Sequence, residues 1–293
     1  MKLFSLFIVF LGASANLTDK SQCSTECVED GSVDYFPDKA SFDHSTCLRM
    51  EYFNTYKVSY LDCGSGDIPE TIVYVQCGCT APTTINANAT ITVPAGDFGI
   101  QSTSHIPYVH YLGLLDQMVL EIEFSSSLYP YTFTDNCHKD NVESGVTKQR
   151  KQSGTPGLLG LDTSEDGVEF VFHEGYNPKG NLTNPITCTE WLEKDLVAQT
   201  EWIKFFALPF NKEREANEIF DQIKGTMDCI GANTDTFSSL YSTDYKALTV
   251  MTAAYSEWSE GWVVSADCEV KVDWYCTLFE DLGVTKVGNV GVL

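Results

Sequence analysis

Thr200–Phe220 reads T-E-W-I-K-F-F-A-L-P-F-N-K-E-R-E-A-N-E-I-F and predicts two consecutive helices. An i, i+3, i+4, i+7 spacing places four apolar residues on one helical face: Trp202, Phe205, Phe206 and Pro209. Pro209 has no amide proton, so it should kink or end the first helix. The stretch therefore predicts a buried helix that stops near Pro209 and is followed by another.

The second helix is predicted to begin at Asn211, which would cap it, with Glu213 in its first turn. A helical period continues beyond this point and predicts a buried stripe. The stripe consists of Ala216, Ile219, Phe220, Ile223 and Met227. Composition alone would indicate only two helices in a globular domain.

The order of residues in this stretch resembles the E-W-I-K-F-x-A-x-x-F-x-K-E-x-x-A segment of iron-complex and corrinoid binding proteins. These are the solute-capture components of ABC importers, and in them the segment is the rigid helix between two lobes plus the helix after it. The resemblance implies an α/β, two-lobed, periplasmic-binding-protein-like fold with a single long linking helix. Because the chain stops at Leu293, it also implies a shortened second lobe.

Other segments resemble the same family over 34–122 and 196–225. Asp34–Lys39 and Tyr52–Val58 are similar to its entry hairpin, and Ile91–Pro94 is similar to a strand that feeds the first lobe. Ser102–Asp116 resembles the family's S-T-T-H-x-P-x-x-x-x-L-G-x-L-D element. Residue patterns predict a signal peptide at 1–15 and a Cys-containing leader at 16–33. The resemblance implies an N-terminal α/β lobe with entry hairpin at 34–195, a linking helix at 196–210 and a partial or reduced C-terminal lobe at 211–293.

Residue patterns independently predict several elements. Leu48–Leu61 and Thr71–Gln76, rich in Tyr, Phe, Val and Ile, predict a hairpin. A helix capped by Ser102, Thr103 or Ser104 should run to Leu112 and stop at Gly113. The remaining predicted elements are strands at Met118–Ile122, Gly167–Phe172 and Lys246–Ala254 and a helix at Trp274–Leu282.

The N-terminus predicts secretion. Lys2, the apolar run Leu3–Leu11 and the small residues before Asn16 are typical of a signal peptide cleaved after Ala15. This apolar run is shorter than the roughly 20 residues that span a bilayer. No other stretch is apolar enough to span one, so we expect no membrane-spanning segment.

The chain has 11 cysteines, which in a secreted protein favour disulfides over metal binding. No C-x-x-C pairs with zinc spacing occur, and Cys77 and Cys79 should bridge to different residues, for instance Cys47 or Cys63 across a hairpin. An odd number leaves at least one cysteine free or intermolecular. N-glycosylation sequons begin at Asn16, Asn88 and Asn181.

The composition excludes some classes of function. Asp and Glu number 41 against 18 Lys and Arg, a formal charge of −23, so a nucleic-acid partner is not expected. Lys148–Lys151 is the one cationic cluster, and its polar surroundings predict an exposed loop. No catalytic motif and no metal-ligand spacing occur, so we expect no enzyme activity, no catalytic residue, no metal site and no cofactor.

Ligands of open α/β sheets bind beyond the carboxyl ends of the strands, where helix N-termini offer amide protons. The candidate ligand-binding residues are Ser104, His105, Tyr108, Glu174, Tyr176, Trp258 and Trp262. The first three belong to the Ser102–Tyr108 loop and helix start, the next two follow a strand, and the tryptophans would supply aromatic walls from the second lobe. Each also has a purely structural reading, as a loop, surface or core residue.

The resemblance implies capture of a metal chelate for uptake, such as an iron–siderophore complex, haem or a corrinoid, and a membrane-bound uptake partner. One alternative is a disulfide-rich secreted or cell-surface protein that keeps the fold without capturing a ligand. A secreted hydrolase is a second alternative.

Overall fold

The structure, a computed structural model, describes residues 13–14, 16–23, 26–64, 69–123, 135–151, 162–175, 179–240, 249–250, 253–256 and 261–264, and a few positions after 275. The strands are β1 (Ala13–Ser14), β2 (Val33–Asp34), β3 (Leu48–Tyr52), β4 (Tyr56–Leu61), β5 (Glu70–Gln76), β6 (Ala89–Val93), β7 (Phe98–Ile100), β8 (Met118–Glu123), β9 (Lys148–Lys151), β10 (Phe170–His173), β11 (Pro185–Thr187), β12 (Thr249–Val250), β13 (Ala253–Ser256), β14 (Gly261–Val264), β15 (Thr285–Lys286) and β16 (Gly291–Val292). The helices are α1 (Ile106–Tyr111), α2 (Asn136–Ser144), α3 (Leu196–Ala207) and α4 (Glu213–Leu240). The α/β class predicted from the sequence is confirmed.

The hairpin predicted from Leu48–Leu61 and Thr71–Gln76 is present as β4 and β5, but Leu48–Leu61 divides into two strands, β3 and β4, within a four-stranded sheet. Strands β3, β4 and β5 pair antiparallel, with Leu48 opposite Leu61 and Lys57 opposite Tyr74. Strand β6 then adds parallel to β5. Residues alternate along β6 between buried and exposed, as expected when one face of a sheet packs on a core and the other meets water.

A second sheet is parallel throughout and has the order β11-β10-β7-β8-β9. Its last strand corrects one prediction, because Lys148–Lys151 is an edge strand and not an exposed loop. The backbone of this segment pairs with Leu120–Glu123 of β8, and charged side chains are well tolerated at a sheet edge. Arg150 forms an ion pair with Asp166 there.

The helix predicted from Ser102 to Leu112 is confirmed, with a tighter first turn. Thr103–His105 forms a 3-10 turn, and the Ser102 side chain accepts a hydrogen bond from the amide of Ser104. Helix α1 follows and ends at Tyr111, Leu112 is its C-cap, and Gly113 after it has a φ of 67°. Glycine adopts that left-handed conformation without a Cβ clash, so the predicted stop signal is confirmed.

The break between the two central helices also lies where Pro209 predicted it. Helix α3 ends at Ala207, and a 3-10 turn at Leu208–Phe210 leads to Asn211, whose φ is 54°. The prediction that Asn211 caps α4 is wrong. Its side-chain amide donates to the carbonyl of Leu17, and its oxygen accepts from Lys57 Nζ at 2.9 Å, so it joins three segments instead.

The stripe predicted on α4 is buried only at its start. Ala216 and Phe220 are buried, whereas Ile219, Ile223 and Met227 are half-buried. The buried face of α3 agrees with its prediction, because Trp202, Phe205 and Phe206 have no exposed surface. These rings join Phe98, Phe170, Phe172 and Phe210 of the second sheet and the α3–α4 connection in one aromatic core.

Two buried carboxylates of the α3 region hold a loop of the first sheet. Glu201 accepts hydrogen bonds from the amides of Asp43, His44 and Ser45 at 3.1, 2.9 and 2.8 Å, and Lys204 donates to it at 3.0 Å. Glu193 accepts from the Thr46 hydroxyl at 3.1 Å and from the indole of Trp202 at 3.2 Å. The helix and the loop are thus joined by charge-assisted hydrogen bonds as well as by apolar packing.

Three disulfides have both cysteines among the described residues: Cys23–Cys77, Cys27–Cys79 and Cys47–Cys63. Cys77 and Cys79 do bridge to different residues, as predicted, but the suggested bridges to Cys47 or Cys63 are wrong. The leader instead crosses the end of β5, which brings Cys23 and Cys27 next to Cys77 and Cys79. Cys47 and Cys63 bond to each other across the open end of the β3–β4 hairpin. Cys276 is disulfide-bonded as well.

Thiol labelling should distinguish three cysteines. Cys137 and Cys229 are free and exposed, and Cys188 is free and buried. We expect an unreduced sample to react rapidly at the two exposed thiols and at Cys188 only after unfolding, because a buried thiol has no access to reagent. Mass spectrometry after labelling with and without denaturant measures this. Labelling of most of the 11 cysteines in unreduced, denatured protein would contradict the disulfide framework.

Several sequence predictions lie wholly or partly outside the described residues. These include most of the signal peptide, much of the Lys246–Ala254 strand and most of the Trp274–Leu282 helix. Strands β12 and β13 cover part of the predicted Lys246–Ala254 strand. Asn88 and Asn181 are exposed and Asn16 is half-buried, and their glycosylation stays a prediction. None of the helices in the described part of the chain has an apolar stretch of membrane-spanning length.

Candidate functional site

The strand order of the parallel sheet marks a crevice. The chain runs from β7 outward through β8 to β9, then returns to the other side of β7 to form β10 and β11. In a sheet of this order the connections after β7 and β10 are expected to leave the sheet in opposite directions. In open α/β sheets ligands bind at such a reversal point, beyond the carboxyl ends of the strands.

Three connections meet at this edge of the sheet. The first follows β7 and contains Gln101–His105, the second follows β10 and contains Glu174, and the third follows β11 and contains Cys188–Glu190. Backbone hydrogen bonds align them, because the amide of Gln101 donates to Phe172 and the amide of Cys188 donates to His173. We call these three connections together the β7–β10 crevice.

The hydroxyl of Ser104 joins the first connection to the third. It donates to Glu190 Oε1 at 2.6 Å, and its oxygen lies 3.0 Å from the hydroxyl oxygen of Ser102. Ser104 is exposed whereas Glu190 is buried, so the contact links the surface of the crevice to a carboxylate beneath it.

His105 lies below this surface and has no exposed area. Its ring packs against Phe206 at 5.2 Å between centroids, and its Nε2 is 3.8 Å from Glu190 Oε2. Within the described part of the chain, neither ring nitrogen has a hydrogen-bond partner, and the same holds for Glu190 Oε2 and for Gln101 Oε1. Burial lowers the pKa of His105, although the Glu190 carboxylate opposes that shift.

Gly175 shapes the second connection. Its φ is 75°, and a Cβ added there would lie 2.7 Å from Thr189 Cγ2 in the third connection. Only glycine allows both this conformation and this close approach. The amide of Gly175 donates to His173 Nδ1 at 3.0 Å, which turns the chain just after β10 and leaves Glu174 half-buried beside the crevice.

Tyr108 faces α3. Its hydroxyl donates to the carbonyl of Gln199 at 3.0 Å, and its ring stacks on Phe206 at 4.6 Å. Burial raises the pKa of this phenol. These contacts give Tyr108 a clear packing role between α1 and α3.

The structure brings three of the predicted ligand-binding residues to one crevice: Ser104, His105 and Glu174. Tyr176 and Trp258 lie outside the described residues, and Trp262 is in β14, opposite Tyr255 of β13. Contact between any of the predicted residues and a ligand stays a prediction.

One aromatic residue at the crevice was missed from the sequence. Trp191 belongs to a 3-10 turn at Glu190–Leu192, just after β11, and 48% of its surface is exposed. Its indole N–H donates to the carbonyl of Glu174 at 3.2 Å. The signal available in the sequence was weak, because β11 has only three residues and begins with Pro185.

The described residues contain no group of three or more His, Cys, Asp or Glu side chains placed to hold a metal ion. The crevice instead offers hydroxyl oxygens, an exposed indole and, beneath them, buried polar atoms without partners. This arrangement suits the binding of a small organic molecule or complex by hydrogen bonding and stacking.

The buried imidazole leads to a prediction about pH. The pKa of His105 is lower in the folded state than in the unfolded chain, so its contribution to stability is present above about pH 6.5 and is lost as pH falls toward the folded pKa. We expect His105→Gln to reduce the loss of unfolding free energy between pH 7.5 and pH 5.5 by up to about 1.4 kcal/mol per pH unit. Urea unfolding at both values tests this, and equal slopes for the two proteins would contradict it.

No protein-family model and no curated protein matches this chain. Among solved structures, a Staphylococcus epidermidis protein described as "a possible" iron-binding (periplasmic solute-binding) protein is similar at 15% identity and a TM-score of 0.42, over 66% of this chain and 67% of that one. A periplasmic binding protein from Veillonella parvula is similar at 11% identity and a TM-score of 0.47, over 84% of this chain and 70% of that one. Neither likeness bears on function at these values.

Proposed function

We propose that this protein captures a small molecule in the β7–β10 crevice. The observation that carries the proposal is the meeting of three connections at the point where the strand order reverses. There the exposed Ser104 hydroxyl and the exposed Trp191 ring lie above buried polar atoms that have no hydrogen-bond partner in the described part of the chain. Buried polar groups are almost always satisfied in proteins, so such a cluster favours a binding site.

The ligand class is proposed from the sequence. The Thr200–Phe220 segment and the Ser102–Asp116 element resemble those of iron-complex and corrinoid binding proteins. We therefore propose a metal chelate, such as an iron–siderophore complex, haem or a corrinoid, that is captured outside the cell for uptake through a membrane partner. The disulfides of the leader and the first sheet support an oxidising, extracellular location.

A second candidate is a secreted or cell-surface protein that keeps the fold without capturing a ligand. Two disulfides attach the leader to the end of β5. They would stabilise an extracellular surface protein as well as a ligand-capturing one. The two candidates differ in whether anything binds the crevice.

Calorimetric titration with a ferric siderophore, haemin and cobalamin tests capture. We expect saturable binding of at least one of them, with one site per chain. Ser104→Arg should abolish it, because Ser104 is exposed at the crevice and an arginine there would fill the entrance. Tyr111→Arg is the matched control, since Tyr111 is 68% exposed at the opposite end of α1.

Circular dichroism of both variants shows whether the fold is intact. Folded Ser104→Arg protein that binds as tightly as the unmodified chain would place capture elsewhere. Absence of binding for all three compounds would favour the surface protein without a ligand.

A further inference from the structure

Trp191 has the geometry of a ligand-stacking residue. A 3-10 turn directs it away from the core while its neighbour Glu190 is buried, and its hydrogen bond to the carbonyl of Glu174 holds the indole in one orientation. An exposed tryptophan without such a bond would lose rotamer freedom when a ligand ordered it. The Trp191 ring is already ordered in the folded protein, so a ligand does not have to order it, and nearly half of the residue's surface remains exposed to solvent.

The hydrogen bonds of the crevice have a direction. The Ser104 hydroxyl donates its proton to Glu190 Oε1. The Ser104 hydroxyl has one proton, so the proton in its 3.0 Å contact with Ser102 comes from Ser102. Both hydroxyl protons are therefore used within the protein. Ser104 is exposed and Ser102 half-buried, and each oxygen accepts one bond within the protein and keeps one acceptor position for a ligand.

The buried layer adds two acceptors and one donor. Gln101 Oε1 and Glu190 Oε2 are acceptor atoms without a hydrogen-bond partner among the described residues, and the neutral His105 ring beside them has a single N–H. The Glu190 side chain is a carboxylate, and the whole chain has a formal charge of −23. An anionic ligand would meet acceptor atoms and negative charge here. A ligand with hydrogen-bond donors would pair with the acceptors, and a cation would be attracted by the negative charge.

We propose that Trp191 forms the aromatic wall of the β7–β10 crevice and that the crevice selects planar ligands that carry positive charge or hydrogen-bond donors. This inference rests on the proposed capture function and narrows it, because it disfavours anionic chelates. A planar cation would stack on the indole and gain a cation–π contribution. The Ser102 and Ser104 oxygens would accept hydrogen bonds from donors at its edge.

Two porphyrin probes of the same ring size and opposite charge test the selection. The cationic probe is zinc tetrakis(N-methylpyridyl)porphyrin, and the anionic probe is zinc tetrakis(sulfonatophenyl)porphyrin. We expect the cationic probe to bind at least about tenfold more tightly in 0.15 M salt, where long-range attraction is largely screened. Visible absorption and tryptophan fluorescence report the titrations.

Three variants locate the binding. Trp191→Ala should weaken the cationic probe by about tenfold or more, and Trp191→Phe by less, because the smaller ring keeps part of the stacking. Tyr111→Ala is the control, because it removes a more exposed aromatic residue at the other end of α1 and should leave binding unchanged. Unchanged affinity in Trp191→Ala, or equal affinity for the two probes, would overturn the inference.

Ser104→Arg separates this inference from the proposed function. If Ser104→Arg abolishes probe binding while Trp191→Ala does not, the crevice captures ligands but Trp191 is not its wall, and the inference fails alone. If neither substitution changes binding, the probes attach elsewhere on the acidic surface, and both the inference and the proposed site fail.

Discussion

Trp202→Ala should lower the free energy of unfolding by about 3–5 kcal/mol, which is the range for removing a buried aromatic side chain. Trp202 has no exposed surface, packs edge-on against Phe205 and donates its indole proton to Glu193 at 3.2 Å. The alanine variant loses the burial, leaves a cavity and removes one hydrogen bond from a buried carboxylate. Urea unfolding measures the loss.

Trp191→Ala is the matched control for that experiment. It removes the same type of side chain from an exposed position on a neighbouring turn, so its effect on stability should stay within about 1 kcal/mol. Ligand affinity per folded molecule should fall in Trp191→Ala and change little in Trp202→Ala. A fully stable Trp202→Ala protein would show that α3 is not the central core helix.

Lys57→Met should also destabilise the protein by about 3–5 kcal/mol, because it leaves a buried carboxylate without its counter-charge. Lys57 has no exposed side-chain surface, forms an ion pair with Glu213 and donates to Asn211 Oδ1 at 2.9 Å. The pair joins β4 of the first sheet to the first turn of α4. Lys224→Met removes one partner of a more exposed ion pair on the same helix and should cost less than about 1 kcal/mol.

The double variant Lys57→Met/Glu213→Leu should recover much of the lost stability, since it removes both charges from the interior. The cost of Lys57→Met should also grow with pH. Burial raises the pKa of Glu213 and Lys57 opposes that shift, so removing Lys57 raises this pKa further. A carboxyl with a raised folded pKa loses its contribution to stability as pH rises above its unfolded pKa of about 4.3, and the variant should therefore lose more than the unmodified protein. The account would be contradicted if the stability losses of the two single substitutions added up in the double variant. It would also be contradicted if the stability loss in Lys57→Met became smaller as pH rose.

Much of the fold could be predicted because its signals are local. Pro209 lacks an amide proton, so α3 must end near it, and Gly113 is free to adopt the left-handed conformation that stops α1. The apolar period of Trp202, Phe205 and Phe206 identified the buried face of α3. The β-branched and aromatic runs of the hairpin likewise predicted its strands.

The errors lie where distant segments compete for the same residue. Asn211 has the chemistry of a helix cap, yet Lys57 and Leu17 take its side chain because they lie next to it in the folded chain. Lys148–Lys151 has the composition of a loop, yet its backbone completes the edge of the parallel sheet. Cys77 and Cys79 bridge to the leader because the leader crosses the end of β5.

In the candidate site, too, local sequence predicted some features and tertiary contacts decided the others. The sequence by itself determined that Ser104 and His105 follow a strand and begin a helix, because capping and glycine signals act within a few residues. Tertiary structure alone decided that Glu190 lies beneath Ser104, that His105 is buried against Phe206, and that Trp191 is held at the crevice by Glu174. These contacts join residues up to 101 positions apart, as His105 and Phe206 are, so they depend on the order in which the strands pair. Strand order is set by the packing of the whole sheet, which no local pattern of residues encodes.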